Sequence, residues 1–250
     1  MMIVDWKRSH LDSCTSTNDE ARRLLEERGV TYAVVTAERQ DAGRGRLGRS
    51  WFSIPGKSLM FSVMFPSPLA PQDAPRLTLL GAAALAHACA QTGEDKLEVK
   101  WPNDLLKEGK KVAGILTEWV DVPGGNGAVI MGVGINLSIP SDDFPEELRS
   151  RATSLEEGEG AENTGTVLLD RFLEVFRAYL ERVKLSGEVD LDLWRRWMRP
   201  GRKVRFSMGG NMHRGEAMGI RADGALEIRM EDGSSEFVVA GDVTPVTWED

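Results

Sequence analysis

Residues 43–51 read Gly-Arg-Gly-Arg-Leu-Gly-Arg-Ser-Trp. No buried regular element accommodates that run, because three glycines weaken helix and strand alike and three arginines resist burial without partners. The segment has to be a loop, and its neighbours have to be built to hold it. Residues 32–37 form an apolar, β-branched run of strand type, and 58–65 are again rich in strand formers. The loop therefore leaves one strand and returns into another. Glycine lets a backbone come close to a ligand, and guanidinium groups pair with carboxylate or phosphate. A mobile cationic loop that wraps an anion and excludes water is the functional reading; a solvated charged turn is the plain one.

Gly43, Gly45 and Gly48 satisfy G-x-G-x-x-G, but the dinucleotide fingerprint needs a strand just before it and a helix opening at its end. Residues 38–42 are polar and Pro55-Gly56 breaks any helix soon after the loop. Gly56-Lys57-Ser58 resembles the end of a P-loop, yet Trp51 stands where its first glycine is required. Both matches are read as coincidence.

A chain of 250 residues with 41% hydrophobic content can bury one large core and a small second domain. A net charge of −8 argues against general nucleic-acid binding, which needs a basic face. A cationic cluster on that acidic background points to a specific small anion. Cys14 and Cys89 make no disulfide framework, and His10, His87 and His213 lie too far apart in sequence to suggest zinc. No signal-peptide run and no membrane-length apolar stretch is present, so a soluble, cytoplasmic protein is expected.

Ser16-Thr17-Asn18 opens a helix that Gly29 ends, with Thr17 expected as N-cap and Glu20 completing a capping box. Capping accounts for Thr17; Ser16 and Asn18 are left to cap or to face a ligand. Residues 76–91 read as a helix, and 97–101 as a strand stopped by Pro102. Residues 112–119 and 128–137 read as strands, joined through an Asn126-Gly127 hairpin signal. Gly114 inside the first marks a close approach, and Asn136 in the second is equally a structural bridge or a ligand contact. An exposed edge near 128–137 is entertained as a homodimer contact. Residues 144–162 are acidic and irregular, 167–184 form an amphipathic helix with an aromatic core stripe, and 191–198 form a shorter one. Pro200-Gly201 marks a boundary, after which short alternating strands suggest a small antiparallel barrel. The expected division is 1–199 and 200–250, and the fold class is α+β with a mixed sheet and flanking helices. Arg44, Arg46, Lys100 and Lys111 with Asp104 between them suit phosphate chemistry with magnesium, where positioning and charge stabilisation dominate.

Five motifs in order sharpen this: Ser16-Thr17-Asn18, the run from Gln40 to Trp51, Lys100-Trp101-Pro102-Asn103-Asp104, Lys111-Val112-Ala113-Gly114-Ile115-Leu116, and Gly132-Val133-Gly134-Ile135-Asn136-Leu137. Together they resemble the signature motifs of the biotin protein ligases. The resemblance implies a catalytic domain like that of class II aminoacyl-tRNA synthetases and biotin–lipoate ligases, followed by an SH3-like β-barrel. It implies that biotin and ATP form biotinyl-5′-AMP, from which a lysine of a biotin carboxyl carrier protein or domain takes the biotinyl group. The family's larger members carry a DNA-binding repressor domain, and a ligase without one is expected here.

By the same resemblance, Ser16, Thr17, Asn18 and Gln40 serve the ureido ring, with the Gly45 and Gly114 backbones close by. Lys111 sits between the biotin carboxylate and the α-phosphate, Arg44 and Arg46 close over that phosphate, and Trp51 flanks the adenine. Lys100, Asn103 and Asn136 complete the nucleotide side. Asp104 is either the magnesium-side carboxylate or the group that assists deprotonation of the acceptor lysine. The rivals are a lipoate ligase, an octanoyl transferase (which needs a nucleophilic cysteine) and a non-catalytic biotin sensor.

Overall fold

The computed structural model describes residues 6–122, 127–156 and 164–247. Its main sheet runs β1 (Lys7–Cys14), β2 (Ala33–Gln40), β3 (Ser58–Pro66), β7 (Ala128–Asn136), β6 (Lys110–Val120), β5 (Asp104–Lys107), β4 (Leu97–Lys100) in spatial order. β1 and β2 are parallel and the other pairs antiparallel, so the sheet is mixed. Alternation along the strands builds two faces. Ala33, Val35, Met64, Ala128 and Ile130 pack on one face under α1 (Thr17–Arg28), through its Ala21, Leu24 and Leu25. Val34, Phe61, Val63, Phe65, Val129 and Met131 point the other way, into the larger core under α2 (Pro75–Gln91) and α4 (Thr164–Ser186). The aromatic stripe of α4 lies in this core: Phe172 and Phe176 are fully buried and stack at 5.4 Å.

A second, five-stranded antiparallel sheet follows α3 (Glu146–Arg149) and α5 (Asp192–Arg195). It comprises β8 (Arg202–Met208), β9 (Asn211–Ile220), β10 (Leu226–Met230), β11 (Ser235–Val238) and β12 (Val243–Pro245), in the order β11-β10-β9-β8-β12. Its apolar face (Val204, Phe206, Ala217, Leu226, Ile228, Val243) joins the α2/α4 core. The Trp101 indole donates to the Gly224 carbonyl at 2.9 Å, and Arg202 pairs with Glu98, tying this sheet to β4.

Several expectations change. Ser16, not Thr17, is the N-cap of α1: its backbone is extended and its hydroxyl accepts from the Asn18 amide at 3.3 Å. β1 had no sequence signal, because Lys-Arg-Ser-His-Leu-Asp-Ser-Cys is an edge strand with little to bury. β2 extends to Gln40, so a strand does stand just before the glycine loop; what the dinucleotide reading lacks is the helix. Asp104–Lys107 is a strand of its own. β7 lies between β3 and β6 and offers no edge for a second copy, which removes the proposed dimer contact. The continuous apolar run there describes burial on both faces, and says nothing of edges. Asn126 and residues 157–163 of the acidic stretch lie outside the described residues.

Candidate functional site

On the α1 face, Met64 and Ile130 are followed two residues along by Ser62 on β3 and Gly132 on β7. The apolar ridge stops there because glycine supplies no side chain. Gly132 and Gly134 on β7 and Gly114 on β6 form a floor, and the N-terminus of α1 and the glycine–arginine loop form walls around it. A methyl on Gly132 would meet Asn18 Oδ1 at 2.4 Å, and one on Gly134 would meet the Trp51 ring at 2.4 Å. One on Gly114 would meet Lys111 Nζ at 2.9 Å. The glycines are thus the space in which three of the expected site residues lie.

The resulting slot is lined by Ser16, Thr17, Asn18, Gln40, Arg44, Gly45, Arg46, Trp51, Asn103, Lys111 and Gly114. The structure therefore brings together every residue expected on the biotin side. Its neutral end is preorganised. Gln40 Oε1 accepts from the Thr17 amide at 2.8 Å and the Thr17 hydroxyl at 3.2 Å. Ser62 Oγ lies 2.7 Å from Thr17 Oγ1 and 2.6 Å from Asn18 Oδ1, and Asn18 Nδ2 donates to Glu118 at 3.1 Å. Ser62 and Glu118 went unnoticed in the sequence. A lone hydroxyl two residues from Met60 and Met64 in an apolar strand was the available signal for Ser62; Glu118 offered none.

The charged end adjoins a larger cavity lined by Lys100, Asn103, Asp104, Asn136, Arg49 and Asp242, so the expected nucleotide-side residues meet there except Arg44, which borders only the slot. Arg46 and Lys111 are the cations that line both spaces. Asp104 is buried, with Lys100 Nζ 2.8 Å from Oδ2 and Lys111 Nζ 2.7 Å from Oδ1. Burial alone would raise its pKa; the two ammonium charges and their hydrogen bonds outweigh that and hold the carboxyl well below its ordinary value. Lys111 also stands over the Trp51 ring at 5.4 Å. Asn136 Nδ2 donates to the Thr153 carbonyl at 2.9 Å, so it braces residues 152–155 and borders the cavity as well.

The loop itself is folded. Gly45 N donates to Arg49 O, Trp51 N to Gly43 O, and Leu47 and Gly48 take positive φ at its tip. Its three arginines differ in their surroundings. Arg44 makes a forked contact to Asp19 at 2.7 and 2.8 Å and approaches Glu118 at 3.5 Å. That hydrogen bond lowers the pKa of Asp19 and raises that of Arg44. Arg49 pairs with Asp242. Arg46 is held by neutral acceptors, Asn103 Oδ1 at 3.2 Å and the Gly241 carbonyl at 3.0 Å. Among the described residues no carboxylate pairs with it, so its charge stays available to a ligand. Arg44 reaches the rim of the slot but is committed to carboxylates.

Gly134→Ala is expected to push the indole of Trp51 off its seat. Overpacking of this kind costs about 1–3 kcal/mol. An unfolding midpoint equal to wild type in urea would show that the ring yields freely.

A neutral hydrogen-bonding pocket that runs into a pair of cations beneath a glycine–arginine flap is suited to holding two anionic groups together. The biotin/lipoate A/B protein ligase family model matches residues 11–136. The chain is 32% identical over 231 residues to the bifunctional ligase/repressor BirA of Bacillus spizizenii, covering 92% of this chain and 71% of that protein. It is 32% identical over 240 residues to the biotin–[acetyl-CoA-carboxylase] ligase of Mycobacterium tuberculosis, covering 91% and 85%. Its fold matches the biotin protein ligase from Aquifex aeolicus in complex with biotin and ATP with a TM-score of 0.74 and 27% identity, over 95% of this chain and 97% of that one. The chain belongs to the biotin/lipoate A/B protein ligase family.

Proposed function

We propose that this protein is a biotin protein ligase. It activates biotin with ATP and transfers the biotinyl group to a lysine of the carrier domain of a biotin-dependent carboxylase. The observation that carries the reading is the continuity of the slot and the cavity, with Arg46 and Lys111 at their junction. Thr17, Asn18, Gln40 and Ser16 offer donors and acceptors to a ureido ring at one end. At the junction the carboxylate oxygen attacks the α-phosphorus, and the bond to pyrophosphate breaks. Lys111 and Arg46 offset the charge of two anions that otherwise repel each other. The acceptor amine then attacks the acyl carbon, AMP leaves, and the amine sheds a proton. Trp51 and Asn136 border the adenine, and Lys100 and Asn103 hold Asp104 and Arg46 in place.

Asp104 acts by orienting Lys111, whose Nζ it holds at 2.7 Å. A carboxyl with so low a pKa is a poor base, which argues against the deprotonating role. The donor set does not fit a resident magnesium ion either. Both Asp104 oxygens already face ammonium groups, which compete with a cation for the carboxylate. No step is assigned to a protein-bound metal.

The structure also speaks against an octanoyl transferase. Burial, with Glu20, Asp19 and Asp41 nearby, pushes the Cys14 thiol up to about 11; burial pushes Cys89 up to about 12. Neither is a thiolate at neutral pH, and neither lines the slot. We read residues 200–250 as an SH3-like module, supported by five short antiparallel strands and a bulge at Glu227/Ile228. Among the described residues no helix is long and apolar enough to cross a membrane.

Mass spectrometry of a carrier domain incubated with the protein, biotin and MgATP is the test. One biotinyl addition at a single lysine is expected, together with ATP–pyrophosphate exchange that depends on biotin and not on lipoate. Exchange driven by lipoate instead would overturn the reading.

A further inference from the structure

The flap is tied to both parts of the molecule. Arg44 anchors its first end to Asp19 in the opening turn of α1. Arg49 and Arg46 reach across to the turn between β11 and β12, where Arg49 pairs with Asp242 and Arg46 donates to the Gly241 carbonyl at 3.0 Å. Gly241 takes φ +125°, and the next residue after Asp242, Val243, is 2% exposed and pairs with Phe206 on β8. A carboxylate on a turn of the C-terminal sheet therefore faces the cationic loop, 193 residues away in sequence.

We propose that Asp242 is a positioning residue for the flap: through Arg49 it holds residues 43–51 closed over the slot, so that the C-terminal sheet helps retain the acyl-adenylate. Asp242 and Arg49 both border the nucleotide-side cavity, and Asp242 acts there through its pairing with Arg49. It takes up the Arg49 charge and fixes the backbone that carries Arg46, leaving Arg46 the loop arginine whose charge meets the phosphate. This rests on the ligase reading above, and it assigns the C-terminal sheet a part in intermediate retention.

The test uses the full chain as wild type, Asp242→Asn, Arg49→Glu, and the double reversal Arg49→Glu with Asp242→Arg. Enzyme-bound adenylate formed from radiolabelled biotin and MgATP is chased with unlabelled biotin. Arg49 and Asp242 are 63% and 29% exposed, so a modest effect is expected: release roughly two- to five-fold faster in each single variant, with the double reversal moving back toward wild type. In ligand-free protein, trypsin is expected to cut at the loop arginines faster in Asp242→Asn than in wild type, at equal melting temperatures. Equal release rates and equal cleavage rates would overturn the latch. If wild type forms no adenylate, the ligase reading fails, and the cleavage comparison still decides whether Asp242 holds the flap.

Discussion

Lys111→Ala is expected to slow adenylate formation by roughly 10²–10³, the loss typical of removing one preorganised charge-stabilising group. Lys111 Nζ borders both the slot and the nucleotide-side cavity, so it stands where the carboxylate and the α-phosphate have to meet. Its position is set from two sides: Asp104 Oδ1 at 2.7 Å below it and the Trp51 ring at 5.4 Å. Arg46 remains in the variant, but it approaches from the flap and cannot replace a cation seated in the floor. The effect is expected in kcat for biotin-dependent ATP–pyrophosphate exchange, since the charge is needed most as the two anions come together. A change confined to the KM for biotin would make Lys111 a simple binding residue, and near-normal exchange would remove it from the mechanism.

Asp104→Ala is expected to damage folding as well as activity. Removing one partner from a buried charge cluster costs about 3–5 kcal/mol, a large part of the 5–15 kcal/mol that holds a typical domain together. The lower end applies here, because Lys111 reaches solvent while Lys100 is buried. Without the carboxylate, two ammonium groups face each other across the space it leaves. The sign of the pH dependence follows from the depressed pKa of Asp104. Its contribution is complete above the unfolded carboxyl value of about 3.9 and is lost as pH falls through the lower folded value. Urea unfolding should therefore show a constant gap between wild type and variant from about pH 5 to 9, narrowing only in acid. A gap that opened or closed near neutrality would mean that Asp104 titrates there and is not held by the two lysines.

Much of the site was legible before any fold was known, because its chemistry is written in local runs. Glycine and arginine at 43–51 could only be a loop, and Lys111, Gly114, Gly132 and Gly134 sit in runs whose apolar, strand-forming character is plain. The longer strands β3, β6 and β7, with α2 and α4, followed the same logic, since each has a face to bury, whereas the four-residue strand at Asp104–Lys107 did not. β1 did not, because a polar edge strand has no burial pattern to read. Thr17 was preferred over Ser16 as the cap for want of one residue of register, a distinction that backbone angles decide and composition does not.

Sequence alone determined the loop, the elements with a face to bury and the kinds of groups that line the site, because turn chemistry and hydrophobic period are local properties. Tertiary structure decided how those groups are employed. Arg44, Arg46 and Arg49 are chemically identical, yet the fold gives Asp19 to the first, neutral acceptors to the second and Asp242 to the third. It also placed β7 in the middle of the sheet and set Ser62 beside Thr17 and Asn18. The physical reason is the same in each case: which charges and hydroxyls meet depends on contacts between residues far apart in the chain, and no local pattern records them.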